Sequence, residues 1–240
     1  MGYANALICA LDGATYRELE PHLDEVDFAR GEVIYEPGQP VDRVYFPNSG
    51  VVSVITAMQD GSAVETGTVG RESAVGLMAG LTEVAAFSRM VGQTNGHAAV
   101  IESALLRRVA ERSPRLRQAI VRHCDALLAQ AQQSVACNAL HDVEERFCRW
   151  LLTCQDRSDT DEMPLTQEFL AMMLGVQRTT VTQVAQILQE AGVIRYQRGR
   201  VAVCDRRALE GRACECYRRV RDHAALVLPP APAQDGPCAS

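Results

Sequence analysis

The stretch LTQEFLAMMLGVQRTTVTQVAQILQEAGVI, Leu165 to Ile194, decides the reading of the C-terminal part of this chain. Thr166 is placed to cap a helix through QEFLAMML, and Gly175 suits the left-handed residue that ends one. A second helix is predicted from about Arg178 to Glu190, with Gly192 ending it in the same way. Two short helices joined by a glycine turn form a helix-turn-helix. The spacing agrees. With Gln167 as the first position, Ala171 falls at the crossing point, where only a small side chain fits, and Gly175 falls at the turn. Leu170, Leu174 and Val176 take inward places. On the second helix Val181, Val184, Ala185 and Leu188 share one face at i, i+3, i+4, i+7. Arg178, Thr179, Thr182, Gln183 and Gln186 share the other. A solvated amphipathic hairpin is the plain alternative. The polar face, however, has the donors and acceptors that read base edges in a major groove.

The flanking sequence extends this reading. VIRYQRGRVAV, Val193 to Val203, reads as strand, Arg198-Gly199 turn, strand, a wing whose Arg198 and Arg200 can reach phosphates. The expected DNA-contacting set is Thr166, Gln167, Gln177, Arg178, Thr179, Thr180, Thr182, Gln183, Arg198 and Arg200. The 240-residue chain is acidic, with net charge −6, and all 24 of its basic residues are Arg. From Pro164 to His223, however, ten Arg face six acids, a net of +4. That local asymmetry, not the total, bears on nucleic acid.

Upstream the texture is different. From Gly31 to Val109 turn pairs recur at short intervals, among them Pro37-Gly38, Asp60-Gly61 and Asn95-Gly96. Between them lie β-rich runs such as RVYFP, GVVSVITAM, AVETGTVG and HAAVI, which predict an antiparallel sandwich or barrel. Thr15 to Phe28 reads as a short polar helix that Pro21 can break. Ser113-Pro114 marks a helix start, and no proline follows until Pro164. Leu116, Ile120, His123, Leu127 and Ala131 form a narrow stripe on that helix, read as a dimer seam with His123 as its polar member. Asp142 and Glu145 resemble a capping box that opens the next helix.

In order and length, Leu11 to His223 resembles the Crp/Fnr superfamily of bacterial transcription regulators. CNALHDVEERFCRWLL, LTQEFLAMMLGVQRTTVT, AGVIRYQRGR and EGRACECY look like a Crp-like subgroup within it. The resemblance implies an α+β protein: an N-terminal antiparallel β-roll of the cyclic-nucleotide-binding jelly-roll type (1–113), a dimerisation helix (114–140) and a winged helix-turn-helix (141–223); the Pro/Ala-rich end (224–240) is expected to be a disordered tail. It implies a homodimer that binds double-stranded DNA, with RNA polymerase a candidate partner. In cyclic-AMP-binding members a Glu holds the ribose and an Arg the cyclic phosphate. The matching residues here are Glu72 and Arg89, but their surroundings and spacing differ, so cyclic AMP is disfavoured and the effector is left unassigned.

The nine cysteines lack the N-terminal iron–sulfur pattern of Fnr-type sensors and any Cys-x-x-Cys pair. Cys214 and Cys216, two apart on an expected helix, should point to different faces, so no metal site is expected there; a redox role for Cys204, Cys214 or Cys216 stays open. The five histidines are far apart in sequence, against a cupin-type metalloenzyme, and no P-loop, nucleophile elbow or dinucleotide fingerprint occurs. No apolar run is long enough to span a membrane, and no signal peptide is recognised. The expectation is a cytoplasmic, non-catalytic, DNA-binding regulator. The alternative is a cyclic-nucleotide-regulated interaction protein that does not bind DNA.

Overall fold

The computed structural model describes residues 3–158 and 162–228. Two short helices, α1 (Ala6–Cys9) and α2 (Gly13–Leu19), open the chain. The expected helix through Phe28 stops at Leu19: Pro21 sits in a 3-10 turn over Glu20–His22, and Asp24–Phe28 pairs as strand β1. Strands β2 (Val33–Tyr35), β3 (Arg43–Ser49), β4 (Val52–Ala57), β5 (Ala63–Val69), β6 (Arg89–Gly92) and β7 (Gly96–Glu102) complete an antiparallel roll. Its two sheets have the orders β1-β7-β3 and β2-β6-β4-β5. Ala57 pairs with Ala63 across the Asp60-Gly61 turn, where Gly61 takes a φ of 86° that glycine adopts without strain.

The β texture ends sooner than the sequence reading placed it. Ser103–Arg112 is helix α3, which buries Leu106, Val109 and Ala110 against the roll. Helix α4 (Pro114–Leu140) then runs 27 residues, with Ser113 Oγ accepting from the Leu116 N–H. Helix α5 (Val143–Gln155) starts with both capping-box bonds between Asp142 and Glu145 in place.

Beyond it, β8 (Glu162–Met163), α6 (Gln167–Leu174), α7 (Arg178–Glu190), β9 (Ile194–Gln197) and β10 (Arg200–Val203) make a helix-turn-helix with a small sheet of order β8-β10-β9. Helices α8 (Arg206–Arg212) and α9 (Cys216–Val227) follow. The expectation of disorder from residue 224 fails at its start. Helix α9 continues to Val227 and packs along α4, where His223 Nε2 lies 3.0 Å from an Asp125 carboxylate oxygen. Packing supplies the support that local composition does not. Residues 229–240 lie outside the described set.

Two cores result. One joins the roll to α3 and the N-terminal half of α4. The other joins α5, α6, α7 and the wing, and takes in Ile55 from β4.

Candidate nucleic-acid interface and effector cavity

The reading head is built by local rules. Thr166 Oγ1 accepts from the Phe169 N–H at the start of α6, and Gly175 ends that helix with φ 62°. Its N–H and that of Val176 reach back to the carbonyls of Met172 and Ala171. Val181, Val184, Ala185 and Leu188 are buried, which turns the opposite face of α7 outward. Arg178, Thr179, Thr182 and Gln183 are exposed on that face, as is Gln177 at its N-cap. Thr180 is half-buried and turned partly away from it. At the wing tip, Arg198 and Gly199 both take positive φ, 50° and 73°, the pair that a tight two-residue hairpin turn requires.

Thr166, Gln167, Glu168, Arg178, Tyr196 and Arg198 line one groove between α6, α7 and the wing. Arg200 stands on the wing strand 4.0 Å from a Glu162 carboxylate oxygen. Spacing alone does not mark Glu168 or Tyr196, which also line this groove. Glu168 pairs with the reading-face arginine: the Arg178 guanidinium lies 2.5 Å from its carboxylate and donates to Gln167 Oε1 at 3.1 Å. An acid at the second residue of a helix is ordinary, so nothing in the pattern singles it out.

The roll side differs from expectation. Leu116, Ile120 and His123 do not form an open seam; they are fully buried against the chain's own roll. Leu127 and Ala131 are half-buried and line a cavity of about 340 Å³ between α4 and the roll. The apolar stripe is therefore intramolecular. The large apolar side chains of α4 that stay exposed are Val121, Leu128, Val135 and Leu140, of which the first three recur at heptad spacing. Both stripes are apolar, and only the roll decides which one it covers. His123 Nδ1 lies 3.2 Å from Ser73 Oγ, and burial pushes its pKa down to about 4.

Among the described residues, no charged side chain lines the cavity. Its wall is formed by residues such as Val54, Val75, Leu77, Met90 and Leu127, with Thr66 and Gln130 its polar points and the exposed Phe87 among its lining residues. Glu72 and Arg89, the matches for a cyclic-nucleotide site, are not brought together there. Glu72 accepts from Arg157 Nε at 2.7 Å, toward the end of α5. Arg89 pairs with Glu36 at 2.8 Å on the exposed surface.

A buried polar seam joins the two cores. Glu65 on β5 accepts from Trp150 Nε1 on α5 at 2.6 Å, from Ser53 Oγ at 2.6 Å and from Gln93 Nε2 at 3.2 Å. Burial raises its pKa to about 7 despite those donors. Arg30 of the roll lies over the Phe169 ring of α6, 5.8 Å from its centroid.

A β-roll and a winged helix-turn-helix on one long helix define a DNA-binding transcription regulator of two domains. A model of the cyclic nucleotide-binding domain matches residues 25–113, and one of the Crp-like helix-turn-helix domain matches 145–212. The chain is 26% identical over 202 residues to a CRP-like cAMP-activated global transcriptional regulator of Mycobacterium tuberculosis, covering 81% of this chain and 90% of that one. It is 24% identical over 185 residues to the global nitrogen regulator of Synechococcus elongatus, covering 73% and 83%. Among solved structures, FixK2 from Bradyrhizobium japonicum superposes with a TM-score of 0.69 at 16% identity, over 80% of this chain and 98% of that one. The regulator CLP of Xanthomonas campestris superposes with a TM-score of 0.65 at 22% identity, over 80% and 99%. The chain belongs to the Crp/Fnr family of transcription regulators.

Proposed function

We propose that a homodimer of this chain acts in the cytoplasm, without a catalytic step, by reading a two-fold operator with helix α7. The exposed face that begins at Arg178 and is flanked by the wing carries this reading. Arg178, released from Glu168 and Gln167, can give two hydrogen bonds to guanine O6 and N7. Gln183 can pair with adenine, and the Thr179 methyl can touch a thymine methyl. Thr182 and Gln177 border them, while Thr166, Gln167, Arg198 and Arg200 meet phosphates. Thr180 supports the helix more than it reads. Two copies would meet along Val121, Leu128 and Val135 of α4, the apolar line that the roll leaves exposed. Their half-sites would then lie about one helical turn apart.

The cavity beside α4 takes an apolar small molecule in this reading. A cyclic phosphate is disfavoured in this reading, because Glu72 and Arg89 pair elsewhere and an uncompensated charge in an apolar pocket is costly. The cAMP-activated relative fixes no ligand for a chain with this lining. Selection from a random DNA pool, followed by a salt titration on the winner, tests the whole reading. A palindromic consensus whose affinity falls steeply with salt is expected. Recovery of no consensus, or salt-independent binding, would sink it.

A further inference from the structure

The sequence reading set Cys214 and Cys216 on one helix, facing apart. The structure corrects this. Cys214 lies in the extended link after α8, and Cys216 is the first residue of α9. Both turn toward the end of α4, where Cys137 and His141 stand one helical turn apart on a shared face. One ligand atom from each of the four residues lies within 4.8 Å of the others, and no other group of His, Cys, Asp or Glu converges this way among the described residues.

Two of these separations are close to those around a tetrahedral ion. Metal–sulfur bonds of about 2.3 Å and metal–nitrogen bonds of about 2.0–2.1 Å put neighbouring sulfurs about 3.8 Å apart, and sulfur and nitrogen about 3.6 Å apart. Cys137 Sγ and Cys214 Sγ are 3.5 Å apart, as are Cys216 Sγ and His141 Nδ1. The surrounding groups also have the right chemistry. Glu215 Oε2 lies 3.2 Å from His141 Nε2, a carboxylate placed to take that N–H and leave the Nδ1 lone pair facing the sulfurs. Gln133 Nε2 donates to Cys216 Sγ at 3.0 Å. The Nε of Arg149 is buried without a hydrogen-bond partner, and the charge of that guanidinium bears on Cys137. The three cysteines are almost wholly buried, with His141 toward the surface.

We propose that Cys137, His141, Cys214 and Cys216 hold one zinc ion that pins the DNA-binding domain's last helix to the end of the long helix. On binding, three thiol protons leave to solvent, and three thiolates with a neutral imidazole and Zn²⁺ leave the site one unit negative. Arg149 is placed to offset that charge. A Cys₃His donor set at tetrahedral spacing fits zinc, a borderline-soft ion with no geometric demand of its own. The ion ties residues 137–141 to 214–216 where a core of ordinary size is lacking, because these thiols form a small cluster apart from both main cores.

The test is metal analysis of the full-length chain, purified under reducing conditions and supplied with zinc. About one zinc per chain is expected, and cobalt(II) in its place should show tetrahedral d–d bands with thiolate charge transfer. Cys216→Ser and His141→Ala should lose the ion, while Cys204→Ser, at an exposed thiol away from the site, should keep it. If the ligand variants fail to fold, Glu215→Gln leaves every ligand in place and should weaken zinc affinity about 10–100-fold. Chelation should raise hydrogen exchange in α9 and not in the β-roll strands. Four results would overturn the assignment: no stoichiometric zinc after reconstitution, zinc retained by Cys214→Ser/Cys216→Ser, iron in place of zinc, or a Cys137–Cys214 disulfide as the isolated state.

Discussion

The reading head and the roll cavity are two sites in one chain built on opposite plans. The head is polar and open to solvent, and its residues fall within one 35-residue stretch, from Thr166 to Arg200. The cavity is apolar and partly open, and it draws on β strands, a 3-10 turn and α4, from Val41 to Ala131. A surface that must meet phosphates and base edges has to display side chains of known chemistry. A pocket for an apolar molecule is lined by the same valines, leucines and methionines that fill any core. Family resemblance therefore carries different weight in the two places: its base-reading position falls on the exposed Arg178, while Glu72 and Arg89 pair with Arg157 and Glu36 and do not meet.

The largest expected effect lies between the two regions, on the face of α4 that neither covers. Leu128→Arg should break the proposed dimer. Losing two buried leucines costs about 3–6 kcal/mol across the pair, before the added charge is counted. Sedimentation at micromolar concentration checks it. A variant that remains dimeric would move the seam elsewhere and leave Leu128 as ordinary surface.

The second test strikes the polar seam that couples the regions. The pKa of Glu65 is near 7 in the folded chain, against 4.5 for the free side chain. The folded state therefore binds more protons between those values, so this contribution to stability is full below about pH 4.5 and is lost as pH rises through 7. Its size is on the order of 3 kcal/mol. His123, with its pKa pushed down, acts in the opposite sense: its contribution is lost as pH falls from 6.5 toward 4. The readout is thus the difference between wild type and Glu65→Gln in thermal stability across pH 4 to 8. Glu65→Gln keeps an oxygen for Trp150 and should remove the Glu65 part of the slope. Parallel curves would mean that Glu65 stays charged in its burial site.

Arg178→Ala sharpens the reading-head side. It should cost about 1–3 kcal/mol per half-site and relax preference at one base pair, whereas Arg200→Ala should weaken all sequences alike and flatten the salt slope. Identical consensus sequences from wild type and Arg178→Ala would remove this residue from base reading. The smallest effect is expected at the opposite pole. Arg89→Ala breaks an exposed pair with Glu36, worth at most about 1 kcal/mol, and should leave any response to cyclic AMP unaltered. A cyclic-AMP-dependent rise in melting temperature that disappears in Arg89→Ala would overturn the apolar reading of the cavity.

What could be read without coordinates was local. The caps at Thr166, Ser113 and Asp142, the left-handed Gly175, the Arg198-Gly199 turn and the buried face of α7 each depend on residues within a few positions. Their hydrogen bonds and side-chain faces are set by helix and turn geometry, so spacing alone determined them. The choice between the two apolar stripes of α4 was not local, because Leu116, Ile120 and His123 are as apolar or as neutral as a dimer seam would need. Only the roll folding onto them made them core and left Val121, Leu128 and Val135 outside. The thiol cluster is the extreme case. Cys137 and Cys214 are 77 positions apart, and their meeting depends on α9 turning back along α4. Sequence by itself determined the helix-turn-helix, its wing and the exposed face of α7, since those follow from short-range sterics and hydrogen bonding. Tertiary structure decided the apolar cavity beside α4, the free face of α4 and the four-ligand cluster, since each is made by segments that only long-range packing brings within reach.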